Sequence, residues 1–374
     1  MSDFDVLIVG AGPAGCATAL SLASFAPRLG IGLIDAPRDE APRIGETVPP
    51  QIASMLAHLG IGGDFMVDRH HASYRTLSAW GSPALASNEF LFQVNQTGWR
   101  LDRARFDAMM RRAAARNATA MASNVVKLDH VEDGWRIWLA DGGTRTARAV
   151  VDATGRAAVL ARLAGERVTR HDRLASVFAF CADRGETGDL MIEAMPDGWW
   201  YTAALPDRRR IVSFMSDTDI IRRLGIGSAA AFRAALGETL HVAGVVSDAP
   251  LDTPQIQGAG SQIVAHDGGG MLIAVGDAAS CFDPLSGQGI VKALRSGVFA
   301  SYAIADRLER NDSDGMYRYA ALVRAEYAAY QTTLRDFYGV ERRFADRPFW
   351  ARRHAGPAHH PSSRAAAEIQ ESRA

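Results

Sequence analysis

The chain has 374 residues, of which 48% are hydrophobic and 22% are charged, and its formal net charge at pH 7 is -1. This composition is typical of a globular protein with enough apolar residues for two or three sizeable modules. A nearly neutral chain has no basic field that would attract nucleic acid or an anionic membrane surface, so neither is an expected partner.

The cysteines argue against a disulfide framework and against a metal site. Cys16, Cys181 and Cys281 are odd in number and far apart, so each is predicted to be a small buried apolar residue.

Acidic residues, Asp3 and Asp5, stand where a signal peptide would be positively charged, and no apolar run reaches about 18 residues. We therefore expect a cytoplasmic protein.

The first element is a strand followed by a glycine-rich turn, in the stretch "DVLIVGAGPAGCATALSLA". A short β-branched run that ends on Gly10 indicates a buried strand, and Ala and Leu recur at helical spacing after Gly15. Gly10, Gly12 and Gly15 then predict a dinucleotide site, because glycines let a pyrophosphate approach the helix N-terminus. Asp35 ends a second apolar run about 20 residues further on, where a ribose-binding acid is expected. The alternative is an ordinary glycine-rich turn, which the flanking strand, helix and acid disfavour.

The next elements alternate between helical and strand-like patterns. Residues 49–60 predict a helix that begins at two prolines. Residues 70–96 change to short alternating stretches such as "FLFQVNQ", which favour strands of another sheet. Residues 99–116 return to helical periodicity, with Asp102 as a possible N-cap.

The second half of the chain repeats this alternation. Residues 125–155 predict three strands with a hairpin turn at "DGG". Strand-like runs between residues 178 and 264 surround a predicted helix in "SAAAFRAALGETL". A buried strand, a glycine-rich loop and a long helix follow in residues 270–308, and the rest is helical before a polar tail.

These elements predict an α/β fold, in which a Rossmann-like cofactor domain is interrupted by a mainly β substrate domain and followed by a short C-terminal helical segment. The predicted boundaries are 1–69, 97–168 and 262–314 for the discontinuous cofactor domain, 70–96 and 169–261 for the substrate domain, 315–356 for the C-terminal helices and 357–374 for a disordered tail.

Three strand-like runs end in glycine-bearing motifs: residues 10–15, residues 152–155 in "VVDATGR", and residues 276–277 followed by "DPLSGQGI". Together, over about residues 5–300, these motifs resemble the FAD-dependent aromatic hydroxylase fold that single-domain flavin monooxygenases share with flavin-dependent halogenases. A cofactor as long as FAD also needs anchors from distant parts of the chain.

The resemblance implies a role for several residues toward FAD. It places Asp35 on the adenosine ribose, Asp152 in a second motif beneath the pyrophosphate and Asp277 on the ribityl hydroxyls. It also places Arg103, in "RARFD", near the flavin or the pyrophosphate. The residues assigned to FAD are Gly10, Gly12, Pro13, Ala14, Gly15, Asp35, Arg43, Glu46, Thr47, Arg103, Asp152, Gly155, Gly276, Asp277, Pro284, Gly287, Gln288, Gly289 and Ile290.

The "DPLSGQGI" stretch has a physical reason to lie beside the flavin ring. Its glycines let backbone N–H groups approach an electron-rich ring, and the following helix points its positive end there. Such a dipole stabilises reduced flavin, which is anionic at N1 and O2. The alternative is a loop that only caps the helix.

Two further stretches narrow the resemblance. "PRIGETVPP", with Glu46 beneath the flavin, is similar to the halogenase branch rather than to phenol or salicylate hydroxylases. "FYGVERRFADRPFWARRH" is similar to its shorter members, among them flavoprotein maturases that modify tryptophan in precursors of lysine oxidase, glycine oxidase and quinohemoprotein amine dehydrogenase. Those shorter relatives lack the large C-terminal domain of tryptophan halogenases, and the same is expected of this protein.

Halogenation is disfavoured by the absence of a suitable lysine. In halogenases an ammonium group binds and directs hypohalous acid, about 30 residues beyond the Gly-Glu-Thr motif, whereas residues 62–100 of this chain contain no lysine. The two lysines of the chain, Lys127 and Lys292, lie in other segments, so neither is a natural replacement for the halogenase lysine. The paired-tryptophan signature is also altered, to adjacent Trp199 and Trp200.

Hydroxylation through a flavin C4a-hydroperoxide asks less of the protein, which has only to exclude water, orient an electron-rich ring and accept a proton. We predict Glu46, Trp199 and Trp200 as the catalytic residues, with the pocket built from aromatic side chains. Further candidates are Trp80, Phe180 and Tyr201 for the pocket, and His70, His71 and Glu193 as bases. Each aromatic side chain is equally well explained as part of the core.

The predicted function is therefore an FAD monooxygenase that hydroxylates an aromatic ring, with tryptophan in the precursor protein of a quinone-cofactor oxidase as the favoured substrate. A small aromatic substrate is the other possibility. No second G-x-G-x-x-G follows a strand, so NAD(P)H or a separate flavin reductase is expected to supply electrons, with O2 as co-substrate. The alternatives are a halogenase acting on a small or carrier-bound aromatic, an isoprenoid double-bond reductase and a non-enzymatic assembly factor.

Overall fold

The computed structural model describes residues 2–37, 44–90, 97–183, 185, 189–246, 249–266, 268 and 270–355. Three predictions lie outside the described residues. They are the cofactor contact of Arg43, the strand-like stretch over residues 91–96 and the tail at 357–374.

The strands of the described chain form four sheets, which are taken in turn below. In chain order the strands are β1 Phe4–Val9, β2 Ile31–Asp35, β3 Thr47–Val48, β4 His71–Ser73, β5 Arg75–Ala79, β6 Ala86–Glu89, β7 Gly98–Arg100, β8 Thr119–Ala122, β9 Val125–Val131, β10 Gly134–Leu139, β11 Thr144–Asp152, β12 Val168–Arg170, β13 Leu174–Ala182, β14 Leu190–Met195, β15 Gly198–Leu205, β16 Arg209–Asp217, β17 Gln255–Gly258, β18 Gln262–Val264, β19 Leu272–Ala274 and β20 Ser280–Cys281.

The helices lie between and after these strands. Among the described residues, no helix is both long enough and apolar enough to cross a membrane. In chain order they are α1 Pro13–Phe25, α2 Ile52–His58, α3 Gly62–Val67, α4 Arg103–Ala114, α5 Val159–Leu163, α6 Thr218–Leu224, α7 Ala229–Gly237, α8 Val242–Val246, α9 Gly289–Arg310, α10 Asp314–Val340 and α11 Pro348–His354.

The first sheet has seven strands in the order β8-β2-β1-β11-β10-β9, with β19 paired to the end of β11. β1 and β19 both run parallel to β11, so that Val9 pairs with Asp152 and Asp152 with Ala274. The carboxyl ends of these three strands therefore meet at one edge of the sheet. Ligands of open α/β sheets bind at this kind of edge.

The core beside this sheet is formed by α1, α4 and α9. Gly297 of α9 allows the closest approach, because a Cβ atom there would lie 2.5 Å from Ala14 O of α1. Apolar side chains of the three helices, such as Leu22, Phe106 and Leu294, are buried against the sheet. This packing fixes the N-termini of α1 and α9 relative to the three strand ends.

The second large sheet also has seven strands, in the order β17-β13-β16-β15-β14-β5-β6. Successive residues of its strands point to opposite faces. One face packs against α6, α7 and α8. The other, which we call the aromatic face, carries Phe178, Phe180, Trp199, Tyr201 and Ile211. Two three-stranded sheets, β3-β7-β4 and β12-β18-β20, complete the strand pairing of the described residues.

The predicted α/β class is confirmed, and so are several local elements. The predicted helix over residues 99–116 appears as α4, where the Asp102 carboxylate accepts the N–H of Arg105 at 2.9 Å. The hairpin at residues 141–143 joins β10 to β11. The strands predicted in residues 70–96 divide between two sheets. β4 joins β7 in a small sheet, whereas β5 and β6 join the second large sheet.

The prediction that the three cysteines are buried is confirmed, and none of them forms a disulfide within the described residues. Cys16 lies in the α1 core and Cys181 beneath the second sheet. Burial raises the pKa of the Cys281 thiol to about 12. All three are therefore small buried residues rather than reactive thiolates.

The C-terminal helices close over the aromatic face. Phe349 and Trp350 of α11 are fully buried against Trp199, Met215 and Tyr338. Trp350 Nε1 donates to the backbone oxygen of Met195 at 2.9 Å. This segment is therefore part of the folded core.

We expect Trp350→Ala to lower the free energy of unfolding by about 3–5 kcal/mol, because it leaves a large cavity among buried aromatic rings. Chemical denaturation of the purified protein measures the loss. The half-exposed Tyr317, changed to Ala, is the control and should cost less than about 1 kcal/mol. A cost below about 1 kcal/mol for Trp350→Ala would show that α11 does not stabilise the sheet.

Candidate active site

The three glycine motifs are in direct contact where the strand ends meet. A Cβ atom on Gly10, whose φ is +106°, would lie 2.2 Å from Ala153 O. A Cβ on Gly15 would lie 1.9 Å from Gly10 O, and one on Gly276, at φ +59°, would lie 2.7 Å from Ala14 Cβ. Only glycine fits at these three positions, because other residues would clash with the neighbouring motif.

Four other glycines of the motifs face open space. A Cβ on Gly12, Gly155, Gly287 or Gly289 would meet no atom of the described residues within 4 Å. Gly12 and Gly289 lie at the N-termini of α1 and α9, and within the described chain no side chain caps either helix. Bare, uncapped N–H groups at the end of a long helix are suited to bind an anionic group.

A cleft of about 410 Å³ opens beside the first of these helices. Asp35 lies in its wall and accepts the N–H of Ala11 at 3.2 Å. Arg111 of α4 lines it too, and its buried Nη1 has no hydrogen-bond partner among the described residues. Sequence reasoning missed Arg111, because in the sequence it is one of several arginines in a helix.

The Asp152 carboxylate forms hydrogen bonds with neighbouring groups of the protein itself. It is fully buried and accepts hydrogen bonds from the N–H and hydroxyl of Thr154, at 3.0 and 2.6 Å, and from the N–H of Ala161, at 2.9 Å. Burial raises its pKa. The side chain therefore shapes the turn that brings Gly155 to the sheet edge.

Arg103 holds the Gly-Glu-Thr segment against α4. Its Nη1 donates to the backbone oxygens of Ile44, at 2.7 Å, and Gly45, at 3.1 Å, and its Nη2 lies 3.3 Å from Asp107. Thr47, at the start of β3, pairs with Arg100 of β7. These contacts fix the position of the residue between them, Glu46.

Glu46 is a buried acid that is only partly satisfied. The residue is 4% exposed, and its Oε1 has no hydrogen-bond partner in the described part of the chain. Burial raises the pKa of its carboxyl to about 7. The negative charge of Glu46 in turn adds to the raised pKa of Tyr201, whose main cause is burial. Ile44, two residues before Glu46, packs against the cluster that contains Phe178 and Phe180, so the segment that carries Glu46 lies beside the aromatic face.

The two tryptophans predicted as catalytic point in opposite directions. Trp200 lies in the core under α7, against Phe214 and Phe232. Trp199 lies on the aromatic face, where its ring centroid is 6.2 Å from that of Tyr201. The structure thus brings Trp199, and not Trp200, to the face that carries Tyr201.

A buried hydrogen-bond chain connects Trp199 to the "DPLSGQGI" loop. Trp199 Nε1 donates to Tyr338 Oη at 3.0 Å, and that hydroxyl donates to Asp283 Oδ2 at 2.9 Å. The other oxygen of Asp283 accepts the N–H of Leu285 at 2.9 Å. Burial raises the pKa of Asp283 to about 6. Sequence reasoning missed both Tyr338 and Asp283 as parts of the site.

The remaining candidates divide between the pocket and the scaffold. Trp80 lies near Trp199, with ring centroids 6.4 Å apart. Glu193 lies on the helix-covered side of its sheet and accepts the N–H groups of residues 240–242 at 2.6–3.0 Å, which anchors α8. His70 accepts the N–H of Asp102 at 3.2 Å and packs on Phe65, whereas His71 is exposed on β4. None of these three candidate bases lies on the aromatic face.

We expect Glu46→Gln to change how the stability of the apoprotein depends on pH. The carboxyl has a pKa of about 7 when folded, against 4.5 for an unperturbed Glu, so the unfolded chain ionises first. The wild-type protein therefore loses stability as pH rises from 4.5 to about 7. The Gln variant lacks this loss, which amounts to about 3 kcal/mol and is complete above pH 7.

Chemical denaturation at a series of pH values measures this difference. Glu238→Gln removes an exposed carboxylate and is the matched control. A stability difference between Glu46→Gln and wild type that does not change with pH would contradict the raised pKa.

Comparison with known proteins identifies the family. The profile of the family described as tryptophan halogenase matches residues 5–82 and 82–374. The putative FAD-dependent oxidoreductase LodB of Marinomonas mediterranea is 30% identical over 366 residues, which cover 95% of this chain and 98% of LodB.

Solved structures agree with this assignment. The peptidyl tryptophan dihydroxylase QhpG is 25% identical, with a TM-score of 0.75 over 96% of this chain and 80% of QhpG. The flavin-dependent halogenase CmlS is 21% identical and has a TM-score of 0.84, over 100% of this chain and 70% of CmlS. The resemblance inferred from the glycine motifs is thereby confirmed, and the chain belongs to the tryptophan halogenase family as an FAD-dependent oxidoreductase.

Proposed function

We propose that this chain is an FAD-dependent monooxygenase that hydroxylates the ring of a tryptophan held in a precursor polypeptide, during maturation of a tryptophylquinone cofactor. The observation that carries the proposal is a buried acid beside an aromatic face without an ammonium group. Lys127 pairs with Asp129 on β9, and Lys292 of α9 pairs with Asp277 in the turn after β19, so neither lysine of the chain lies on the aromatic face.

The residues at the sheet edge fit FAD. The bare N-terminus of α1 would hold the pyrophosphate and Asp35 the adenosine ribose, in the cleft that Arg111 lines. Gly287 and Gly289 would let backbone N–H groups of the α9 N-terminus approach the flavin. Bound FAD supplies the electrons that activate O2, after reduction by NAD(P)H or a separate flavin reductase.

The aromatic face would bind and orient the substrate ring. Phe178, Phe180 and Ile211 form a buried apolar cluster on this face, and the C-terminal helices cover one end of the face at Trp199. Aromatic and aliphatic side chains of this kind bind a planar ring and exclude water. Burial of the face also strengthens the effect of any charge beside it.

Glu46 would act as the base. Hydroxylation replaces a ring C–H bond by a C–O bond, and the ring proton has to leave. A carboxylate with a pKa of about 7 is suited to accept it, because close to half of the population is ionised at neutral pH. The Oε1 atom, which lacks a partner among the described residues, would face the substrate.

QhpG supports a polypeptide substrate, and LodB supports an FAD-dependent oxidoreductase of nearly the same length. LodB is similar over nearly the full length of both chains, and QhpG is described as a peptidyl tryptophan dihydroxylase essential for tryptophylquinone cofactor biogenesis. The family to which this chain belongs is described as tryptophan halogenase, so the family alone does not decide the reaction.

We expect the purified chain, supplied with FAD, NADH, a flavin reductase and isotope-labelled O2, to add labelled oxygen to a tryptophan in the precursor polypeptide of a quinone-cofactor oxidase from the same organism. Mass spectrometry of the digested polypeptide locates the label. Glu46→Gln should lower kcat by about 10²–10⁴-fold, and the rise of the rate through pH 7 should disappear.

The control polypeptide carries Phe in place of the modified tryptophan. Two outcomes would contradict the proposal. One is a brominated product when bromide is added, which would make the chain a halogenase. The other is turnover of an isoprenoid double bond without O2, which would make it a reductase.

We expect Gly12→Ala and Gly15→Ala to separate binding of FAD from folding. A Cβ on Gly12 meets no described atom, so stability should change by less than about 1 kcal/mol, whereas FAD binding should weaken tenfold or more because the pyrophosphate loses its approach to α1. Gly15→Ala clashes with Gly10 O and should lower stability by about 1–3 kcal/mol or more.

Thermal unfolding of the apoprotein and FAD fluorescence titration measure the two effects. If Gly12→Ala bound FAD as tightly as the wild type, the pyrophosphate would not lie at the N-terminus of α1.

A further inference from the structure

Lys292 is an unusual residue for its position. Only two of the 41 basic residues of the chain are lysines, and Lys292 is the one that is buried, with 2% of its side chain exposed. It lies in the first turn of α9, where a positive charge opposes the helix dipole. A buried cation at a helix N-terminus costs stability unless something nearby compensates for it.

The ammonium group is held by three neighbours. Its Nζ lies 2.9 Å from Asp277 Oδ1 and donates to the backbone oxygen of Ser280. It also lies 4.6 Å from the ring centroid of Phe282, which stacks on Tyr330. A compact ammonium with three donors fits this arrangement, whereas the flat fork of an arginine does not. This explains why a lysine stands here in a chain that otherwise uses arginine.

The two members of the ion pair differ in exposure. The Asp277 side chain is 43% exposed, whereas that of Lys292 is buried. Asp277 also lies in the turn after β19, at the sheet edge where the three strand ends meet. The lysine therefore fixes one oxygen of a carboxylate whose other side faces the candidate site.

We propose that Lys292 is a positioning residue for the cofactor. It orients Asp277 so that the carboxylate accepts hydrogen bonds from the ribityl hydroxyls of FAD. This inference rests on the proposed placement of FAD along the sheet edge. Asp277 contacts the cofactor, and Lys292 acts only through Asp277.

The test compares Lys292→Met with Lys127→Met. The second variant removes the exposed lysine, which pairs with Asp129 and lies over the ring of Trp138. Loss of a charge-assisted hydrogen bond predicts that Lys292→Met raises the Kd for FAD about 10–100-fold. Lys127→Met should leave the Kd unchanged. Fluorescence titration of each apoprotein measures the Kd, and thermal unfolding shows whether the variant is folded.

Asp277→Asn separates a failure of this inference from a failure of the proposed site. If Asp277→Asn weakens FAD binding and the folded Lys292→Met does not, the inference is wrong and the site stands. If neither variant weakens binding, the proposed placement of FAD is wrong as well.

The double variant Lys292→Met/Asp277→Asn completes the cycle, and it removes both charges if the single lysine variant fails to fold. Because Lys292 acts through Asp277, the double variant should bind FAD no more weakly than Asp277→Asn alone. An additional loss of affinity in the double variant would overturn the inference, because it would show that Lys292 contributes independently of Asp277.

Discussion

The close packing of three strand ends is the constraint on which the rest of the site depends. Gly10, Ala153 and Gly276 follow β1, β11 and β19. Gly10 lies so close to the backbone of Ala153, and Gly276 to the Cβ atom of Ala14 in α1, that a side chain on either glycine would clash. Segments more than 100 residues apart in the chain thus meet at a single edge. The N-termini of α1 and α9 are fixed at that edge because the two helices also pack against each other at Gly297.

A second connection joins the aromatic face to this edge. Asp283 lies one residue before the turn that leads into α9, and Tyr338 connects it to Trp199 of the second sheet. The C-terminal helices therefore do more than cover apolar surface. Because Tyr338 donates to one residue and accepts from the other, a shift of α10 would change the position of the loop and of Trp199 together.

The sequence was informative where the cause of a structure is local. The Asp102 cap depends on residues three positions apart, and the glycine motifs depend on strand, turn and helix in succession. Glu193 could not be interpreted in this way, because the N–H groups that it accepts lie 47 or more residues further along the chain. The opposite directions of Trp199 and Trp200 follow from strand periodicity. Which of the two faces lies toward the candidate site depends on how the two large sheets pack, and the sequence of one strand does not contain that information.

The chemistry proposed for Glu46 and its cost to stability have the same physical origin. Removing the carboxyl from water raises its pKa to about 7, and the same desolvation makes the ionised form unfavourable in the folded protein. The charge of Arg103 offsets this cost only in part, because its guanidinium is bonded to the backbone oxygens of Ile44 and Gly45 and lies beside Asp107. A closer cation would have lowered the pKa and stabilised the fold, but it would also have made the carboxylate a weaker base. The segment therefore holds an acid that is costly to ionise at the place where the proposed reaction requires a proton acceptor.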